Sequence, residues 1–164
     1  MRVVDVMMGT PYQCRPDANL GTATELLWNG NCGFLPVVNE EGKVAGVITD
    51  RDICVALGTR NRLAGELTVA EVMTTKVQAC APEDEIHVAL QTMRDGHVRR
   101  LPVIAKNGAL VGVISIDDIL VRAEPVSLGK MPELSSDEVV RTFRAINSWQ
   151  LPQVFTPKQA KAAA

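Results

Sequence analysis

Apolar and polar positions change period in a regular order along most of the chain, and that order predicts its secondary structure. In the second half, apolar residues spaced three and four apart predict a helix that ends at Gly96. Two apolar runs follow at 101–104 and 110–114, and Asn107-Gly108 between them is a hairpin signal. The positions that mark the helix are Ile86, Ala89, Leu90 and Met93.

A strand before this helix and a helix after the hairpin complete one structural unit. Residues 77–80 predict a short strand, and Pro82 then stands at a position that a first helical residue tolerates. Residues 116–122 predict the closing helix. The unit therefore has the order strand, helix, strand, strand, helix, which is a mixed α/β arrangement.

The same unit occurs 66 residues earlier without a gap, and residues 3–55 and 69–121 share 17 identical positions of 53. The earlier copy has strands at 35–38 and 44–48 and a closing helix at 50–57. A unit of this length is longer than a solenoid repeat, so two copies predict a pseudo-twofold pair with the binding site where the copies meet. The first helix of this copy is marked by Leu20, Ala23 and Leu27 and ends at Gly30.

The repeat divides the chain into two domains and a tail. We expect domains at 1–60 and 61–123 and a C-terminal extension at 124–164. In the extension, Ser135 and Glu138 have the spacing of a capping box, and an apolar stripe predicts one helix. The stripe consists of Val139, Val140, Phe143 and Ile146, and the end of the chain, 158–164, is expected to be frayed or disordered.

Composition excludes two classes of partner. A net charge of −2 and six aromatic residues provide neither a basic surface for a nucleic-acid backbone nor a platform for base stacking. The longest apolar stretch, 109–121, contains two aspartates and is too short for a membrane span. Asp5 lies inside what would be the apolar region of a signal peptide, so a cytoplasmic location is expected.

The four cysteines include no Cys-x-x-Cys pair, and we expect them to be small buried apolar residues. Cys14 and Cys80 are equivalent in the repeat, so an alternative is a redox pair across the pseudo-twofold axis. His87 is expected to be an exposed helical residue.

Two segments hold the candidate chemistry. Each runs from a strand through a hydroxyl residue into a helix, with an aspartate three positions later, as Thr49-x-x-Asp52 and Ser115-x-x-Asp118. One interpretation is a helix capping box, in which both side chains satisfy backbone N–H groups. The other is that the aspartate accepts hydrogen bonds from ribose hydroxyls. The two roles are compatible.

These motifs resemble a tandem pair of CBS (cystathionine beta-synthase) domains, the arrangement called a Bateman module. The resemblance covers residues 1–123 and rests on Asp-Val-Met and Glu-Val-Met openings, Leu-Pro-Val strands, and Gly-Val-Ile-Thr-x-x-Asp and Gly-Val-Ile-Ser-x-x-Asp closings. It implies an α/β (α+β) fold of two pseudo-twofold-related domains. It also implies clefts that bind adenosine-containing ligands such as AMP, ADP, ATP or S-adenosylmethionine.

By this resemblance, the two hydroxyl–aspartate pairs bind ribose in two related sites. The resemblance also implies where adenine lies, which is at the start of a first strand and against isoleucines of the closing motifs. The implied adenine contacts are Tyr12 and Gln13 in one site, Lys76 and Val77 in the other, and Ile48, Ile114 and Ile116.

Phosphate needs a cation, and the two copies differ at the position where the family often supplies one. Arg99 and Arg100 precede the second Leu-Pro-Val strand, and a guanidinium can hold phosphate in bidentate fashion. The first copy has Gly33 and Phe34 there, and Arg51 partly compensates. We therefore expect a strong site at the second closing motif and a weak or vestigial one at the first. A solvated surface role for the two arginines is the alternative, and His97 lies near enough to contact the ligand.

The resemblance implies a regulatory module that binds an adenine nucleotide and acts on another protein. We expect no catalysis and no obligatory cofactor, because the sequence assembles no nucleophile–base pair, metal cage or Walker-type loop. Alternatives are a redox or metal-responsive protein that uses Cys14 and Cys80, and a docking scaffold whose clefts are empty. A homodimer is expected through apolar helix residues Leu20, Leu27, Ile53, Val55 and Leu57.

Overall fold

The computed structural model describes residues 1–127 and 132–148. It confirms the mixed α/β class, with two copies of helix, hairpin and helix followed by a tail helix. The first copy contains α1 (Leu20–Asn29), β1 (Phe34–Val38), β2 (Val44–Thr49) and α2 (Asp50–Arg60). The second contains α3 (Ile86–Gly96), β3 (Arg100–Ile104), β4 (Leu110–Ser115) and α4 (Ile116–Arg122), and the tail helix is α5 (Ser136–Asn147).

Each hairpin is a two-stranded antiparallel sheet, as the sequence predicts. Leu35 pairs with Ile48 in the first sheet, and Leu101 pairs with Ile114 in the second. All four of these side chains are fully buried. The two turns contain Gly42 and Gly108, whose φ angles are +74° and +86°, a conformation that other residues rarely adopt. The hairpins therefore supply the same apolar layer to both repeats.

The opening segments of the two repeats are exchanged. Val3 and Val69 each begin a short 3₁₀ helix, and each is buried in the core of the other repeat. The N–H of Val3 donates to the carbonyl of Asp84 at 2.9 Å, and the N–H of Val69 donates to the carbonyl of Ala18 at 2.8 Å. The two donors are 66 residues apart in the chain, and so are the two acceptors. The exchange is therefore reciprocal and defines the pseudo-twofold axis.

The exchange continues along the closing strand of each sheet. Thr74 forms a bridge with Val47 of β2, and the equivalent residues Met8 and Val113 do the same at β4. This approach requires the glycine of each closing motif. A Cβ on Gly46 would lie 2.8 Å from the sulfur of Met73 and 2.9 Å from the carbonyl oxygen of Thr74.

Three predicted boundaries are wrong. Residues 77–80 form no strand, and only Cys80 makes a single bridge, to Val103. Pro82 is not helical, because it lies in a turn where the Asp84 carboxylate accepts from Ala81 N–H at 2.8 Å, and α3 begins only at Ile86. The closing helix of the first repeat continues to Arg60 instead of ending at 57.

The predicted tail helix is present and packs on α3 and α4 of the second repeat. Its buried side chains are Val139, Thr142 and Ile146, which are three and four residues apart and share one face. Val140 and Phe143 belong to the neighbouring face and are 44% and 43% exposed, so half of the predicted stripe faces solvent. The predicted fraying at 158–164 lies outside the described residues.

The start of α5 is capped from one side only. The hydroxyl of Ser135 accepts from the N–H of Glu138 at 3.2 Å. The carboxylate of Glu138 lies instead 2.8 Å from Nδ1 of His87 on α3. His87 is exposed, as expected. Its contact with Glu138 also joins α3 to the tail helix.

Buried Thr142 generates a prediction about stability. Its hydroxyl is buried against α3 and α4 and has no hydrogen-bond partner among the described residues. Thr142→Val keeps the shape and removes the unsatisfied group, so we expect the free energy of unfolding to rise by about 1 kcal/mol. Urea denaturation measures this change. Thr59→Val is the control, since that exposed hydroxyl donates to Val55 O at 2.7 Å; an equal gain in both variants would contradict the assignment.

Candidate functional site

Both hydroxyl–aspartate pairs form complete capping boxes. At the start of α2, the N–H and hydroxyl of Thr49 donate to the Oδ2 of Asp52 at 2.9 and 2.7 Å, and the N–H of Asp52 donates to the Thr49 hydroxyl at 3.2 Å. The equivalent distances at Ser115 and Asp118 are 2.9, 2.6 and 3.1 Å. The capping interpretation is therefore correct for both motifs.

The cap leaves hydrogen-bond acceptor positions unused on each aspartate. Both donors of Thr49 converge on Oδ2 of Asp52. An ionised carboxylate has two oxygens with about four acceptor positions, so the cap uses only part of its capacity. Both aspartates are partly exposed. Each cap thus holds a carboxylate in a fixed orientation at the start of a helix.

A cleft of about 590 Å³ lies between the two repeats, beside the first capping box. The first repeat contributes the starts of β1 and α2 to its wall. The second repeat contributes its exchanged opening segment and the loop before β3, and the C-terminal end of α5 closes one side. The lining residues are Gly33, Phe34, Val47, Thr49, Asp50, Arg51, Asp52, Thr74, Lys76, Gln78, His97, Val98, Arg99, Arg100, Ile146 and Asn147.

The cleft has an excess of positive charge. Arg51, Lys76, Arg99 and Arg100 line it, against the two acids Asp50 and Asp52. Arg100 has its nearest carboxylate, that of Asp117, at 3.9 Å, which is too long for a hydrogen bond. The guanidinium of Arg100 can therefore turn toward an anion such as phosphate.

The structure groups the predicted residues differently from the expectation. Lys76, Arg99 and Arg100 line one cleft with Thr49 and Asp52 of the first closing motif. The backbone of Arg100 also pairs with Ser115 of the second motif. The reason is the exchange, because the opening segment of the second repeat runs beside β2 of the first. The cations therefore line the cleft beside the first closing motif, and the expected order of a strong second and a weak first site stays a prediction.

The remaining predicted residues do not line this cleft. Ile48 and Ile114 are fully buried and Ile116 is 3% exposed, all within the two cores. Tyr12 and Gln13 are exposed, and Val77 is half-buried beside Lys76. Ser115 and Asp118 lie across the pseudo-twofold axis, at the equivalent capping box.

Several cleft residues were not predicted from the sequence. Asp50 directly follows Thr49 in the first closing motif. Thr74 and Gln78 could have been found by placing the opening segment of the second repeat beside β2 of the first. Ile146 and Asn147 had no comparable signal, because a stripe on α5 predicts a helix and not the surface against which it packs. His97 does line the cleft, as its position beside the arginines suggested.

The cysteines do not form the suggested redox pair. Cys14 is buried in the first core and Cys80 in the second. Burial raises the pKa of the Cys14 thiol from its ordinary 9.0 to about 11. Burial, and secondarily the negative charge of Asp84, raises the pKa of Cys80 to about 12. Such thiols are protonated near neutral pH and are poor nucleophiles and ligands.

Within residues 1–127 and 132–148, no three His, Cys, Asp or Glu side chains are grouped as a metal site would require. None of the helices there combines the length and apolar character needed to cross a membrane.

The CBS domain family model matches residues 3–59 and 69–124. The chain therefore belongs to the CBS domain family and contains the domain twice, as the resemblance indicated.

Relatives place this pair in several settings. The chain is 34% identical over 119 residues to the CBS domain-containing protein YhcV of Bacillus subtilis, and the match covers 73% of this chain and 83% of YhcV. It is 28% identical to the uncharacterized protein MK0525 of Methanopyrus kandleri and covers 63% of that protein's length. It is 35% identical to inosine-5'-monophosphate dehydrogenase of Methanocaldococcus jannaschii, where the match covers 79% of this chain and 24% of the enzyme. The chain thus corresponds to the CBS part of that enzyme alone.

Two solved structures share the fold across the pair. The CBS domain pair of protein MJ0100, in complex with 5'-methylthioadenosine and S-adenosyl-L-methionine, has a TM-score of 0.66 at 26% identity and covers 73% of this chain and 92% of its own. Hypoxic Response Protein I, with two coordinated zinc ions, has a TM-score of 0.69 at 25% identity and covers 76% and 100%.

Thiol burial generates a prediction about reactivity and pH. At neutral pH, a thiol reagent should label exposed Cys54 rapidly and Cys14 and Cys80 only after unfolding. The raised pKa values stabilise the fold fully below pH 9.0, the ordinary value, and this contribution is lost as the pH rises through about 11. The free energy of unfolding should therefore fall at alkaline pH, and the Cys14→Ala/Cys80→Ala variant should show a smaller fall. Rapid labelling of Cys14 in the native protein would contradict this.

Proposed function

We propose that this CBS pair is a regulatory module that binds an adenosine-containing ligand between its repeats and acts on a partner protein. The observation that carries the proposal is the cleft itself. It joins a fixed carboxylate at Asp52 to three cationic side chains across the repeat boundary, and Arg51 of the same repeat is a fourth cation. A nucleoside phosphate needs both features at once. The MJ0100 pair supports the proposal, because that protein binds two adenosine derivatives.

In the proposed complex, Asp52 accepts the ribose hydroxyls and Thr49 orients it. Arg99 and Arg100 hold the phosphate with Lys76, whose ammonium acts as a point charge. This division follows from chemistry, since hydroxyls are donors and phosphate oxygens are acceptors. Arg51 lies beside the cap and extends the cationic wall.

The charge of the cleft favours AMP, ADP or ATP over S-adenosylmethionine. The sulfonium of S-adenosylmethionine is positively charged, and an excess of cationic side chains disfavours it. Phosphates gain from the same side chains. We therefore propose a nucleotide as the principal ligand, with S-adenosylmethionine as a weaker one.

A second site at Ser115 and Asp118 remains part of the proposal. The residues equivalent to Lys76, Arg99 and Arg100 around it are Thr10, Gly33 and Phe34, which bring no charge. The backbone of Arg100 pairs with Ser115 of this box across the sheet, although Arg99 and Arg100 also line the cleft beside the first box. We propose that this site binds more weakly and suits a ligand with fewer phosphates. Ile114, Ile116 and Val77 are proposed to support the adenine pocket of this second site. In the site at Asp52 they are proposed to act only through packing.

Homodimerisation is also proposed, with less helix surface than the sequence suggested. Leu20, Leu27 and Ile53 are 0%, 5% and 4% exposed and belong to the core, whereas Val55 is 53% exposed. The available surface is the groove between α1 and α2, where Trp28 is 83% exposed. The groove on the second repeat is covered by α5.

The central prediction is that an adenine nucleotide stabilises the wild-type fold. A ligand at 100 times its Kd adds about 2.7 kcal/mol, which should raise the Tm by roughly 5 to 10 °C. AMP, ADP, ATP and S-adenosylmethionine are compared by thermal denaturation after bound ligand is stripped. If none of them shifts the curve at millimolar concentration, the chain is an empty scaffold and the proposal is wrong.

Asp52 and Asp118 are matched variants that assign the principal site. Losing a charge-assisted hydrogen bond costs about 1.5 to 3 kcal/mol, so Asp52→Asn should raise the Kd for AMP roughly 10- to 100-fold. Asparagine retains an acceptor for the Thr49 cap, which limits the structural damage. Asp118→Asn should have a smaller effect on AMP, and calorimetric titration measures both. A larger loss at Asp118 would place the principal site at the second motif.

A further inference from the structure

The C-terminal end of α5 forms part of the nucleotide cleft, although the tail lies outside the repeats. Ile146 and Asn147 line the cleft opposite the first repeat's capping box. Ile146 is also a member of the second core, at 3% exposure. The position of α5 therefore fixes one wall of the site.

The same helix is attached to the second repeat along its whole length. Val139, Thr142 and Ile146 are buried against α3 and α4, and Glu138 pairs with His87 at the far end. Val139 lies eight residues before Asn147, which is about 12 Å along a helix axis. A rigid helix of this length connects the cleft to a surface that the ligand does not touch.

The end of α5 carries hydrogen-bond acceptors beside the cleft that Asn147 lines. The side-chain amide of Asn147 donates from Nδ2 to the carbonyl of Phe143 at 2.7 Å, which leaves Oδ1 as its acceptor. The last carbonyls of a helix carry partial negative charge. This wall suits a donor such as the exocyclic amine of adenine, whereas the cationic wall suits phosphate.

We infer that Asn147 contacts the adenosine part of the ligand and that nucleotide binding is positively linked to docking of α5 on α3 and α4. The inference rests on the proposed function. A ligand that spans from Asp52 to Asn147 gains the second contact only when α5 is docked. Linkage is reciprocal, so the ligand must strengthen docking by the same factor by which docking strengthens ligand binding.

Hydrogen exchange on the full wild-type chain tests the linkage directly. Saturating AMP should slow exchange of the α5 amides by about fivefold or more, the lower end of typical coupling. The amides of α1, which lies on the uncovered face of the first repeat, serve as the internal reference. If AMP binds and α5 exchange is unchanged relative to α1, the inference is overturned while the proposed function stands. If AMP does not bind at all, both are overturned.

Two adjacent valines provide matched variants for the reverse direction. Val139 is 1% exposed and Val140 is 44% exposed, on the same turn of α5 and distant from the cleft. Val139→Ala should weaken docking and raise the Kd for AMP about fivefold, whereas Val140→Ala should leave it within about twofold. Asn147→Ala should raise the Kd for AMP directly, with exposed Arg144→Ala as its control. Equal Kd values for the Val139 and Val140 variants, both folded by circular dichroism, would overturn the linkage.

Discussion

The reciprocal burial of Val3 and Val69 is the interaction on which the rest of the structure depends. A domain of about 60 residues buries only about 60% of the surface of its unfolded chain and is marginally stable. Here each repeat obtains part of its core from the opening segment of the other, and Leu67 and Val6 follow the two valines into these cores. The repeats are therefore one cooperative unit, and the boundary between them is fixed by packing on both sides.

The composition of the site follows from that exchange. The segment that leaves the second repeat passes β2 of the first and brings Lys76 beside the start of α2. Gly46 is needed there because the segment approaches closer than a Cβ would allow. Because α2 begins at the same place, its capping residue Asp52 lines the cleft together with a cation from the other repeat. One carboxylate can thus serve the helix and a ligand, since the cap uses Oδ2 and hydroxyl groups need only an acceptor.

Periodicity and turn chemistry predict the two hairpins and the presence of the helices, but not every boundary. Asn107-Gly108 gave the hairpin, and the helix spacing from Ile86 to Met93 gave α3. Pro82 was misassigned because proline is equally suited to the turn that Asp84 stabilises. The grouping of Arg99 with Asp52 was not predictable from either repeat alone, because an alignment of copies relates equivalent residues and not residues in contact. To predict which residues of the two repeats lie together, the exchange of the opening segments has to be known.

The tail shows how two copies of one unit acquire different surfaces. The tail helix packs on α3 and α4, in which Leu90 and Ile116 are buried. The equivalent residues of the first repeat, Thr24 and Asp50, are polar and exposed. An amphipathic helix gains more by burying apolar side chains, so α5 packs on the second repeat. That choice places its C-terminal end at the cleft beside the first repeat's carboxylate. The difference between the surfaces of the two repeats therefore depends on a few residues of their helix faces, and only one repeat carries the tail helix beside the cleft.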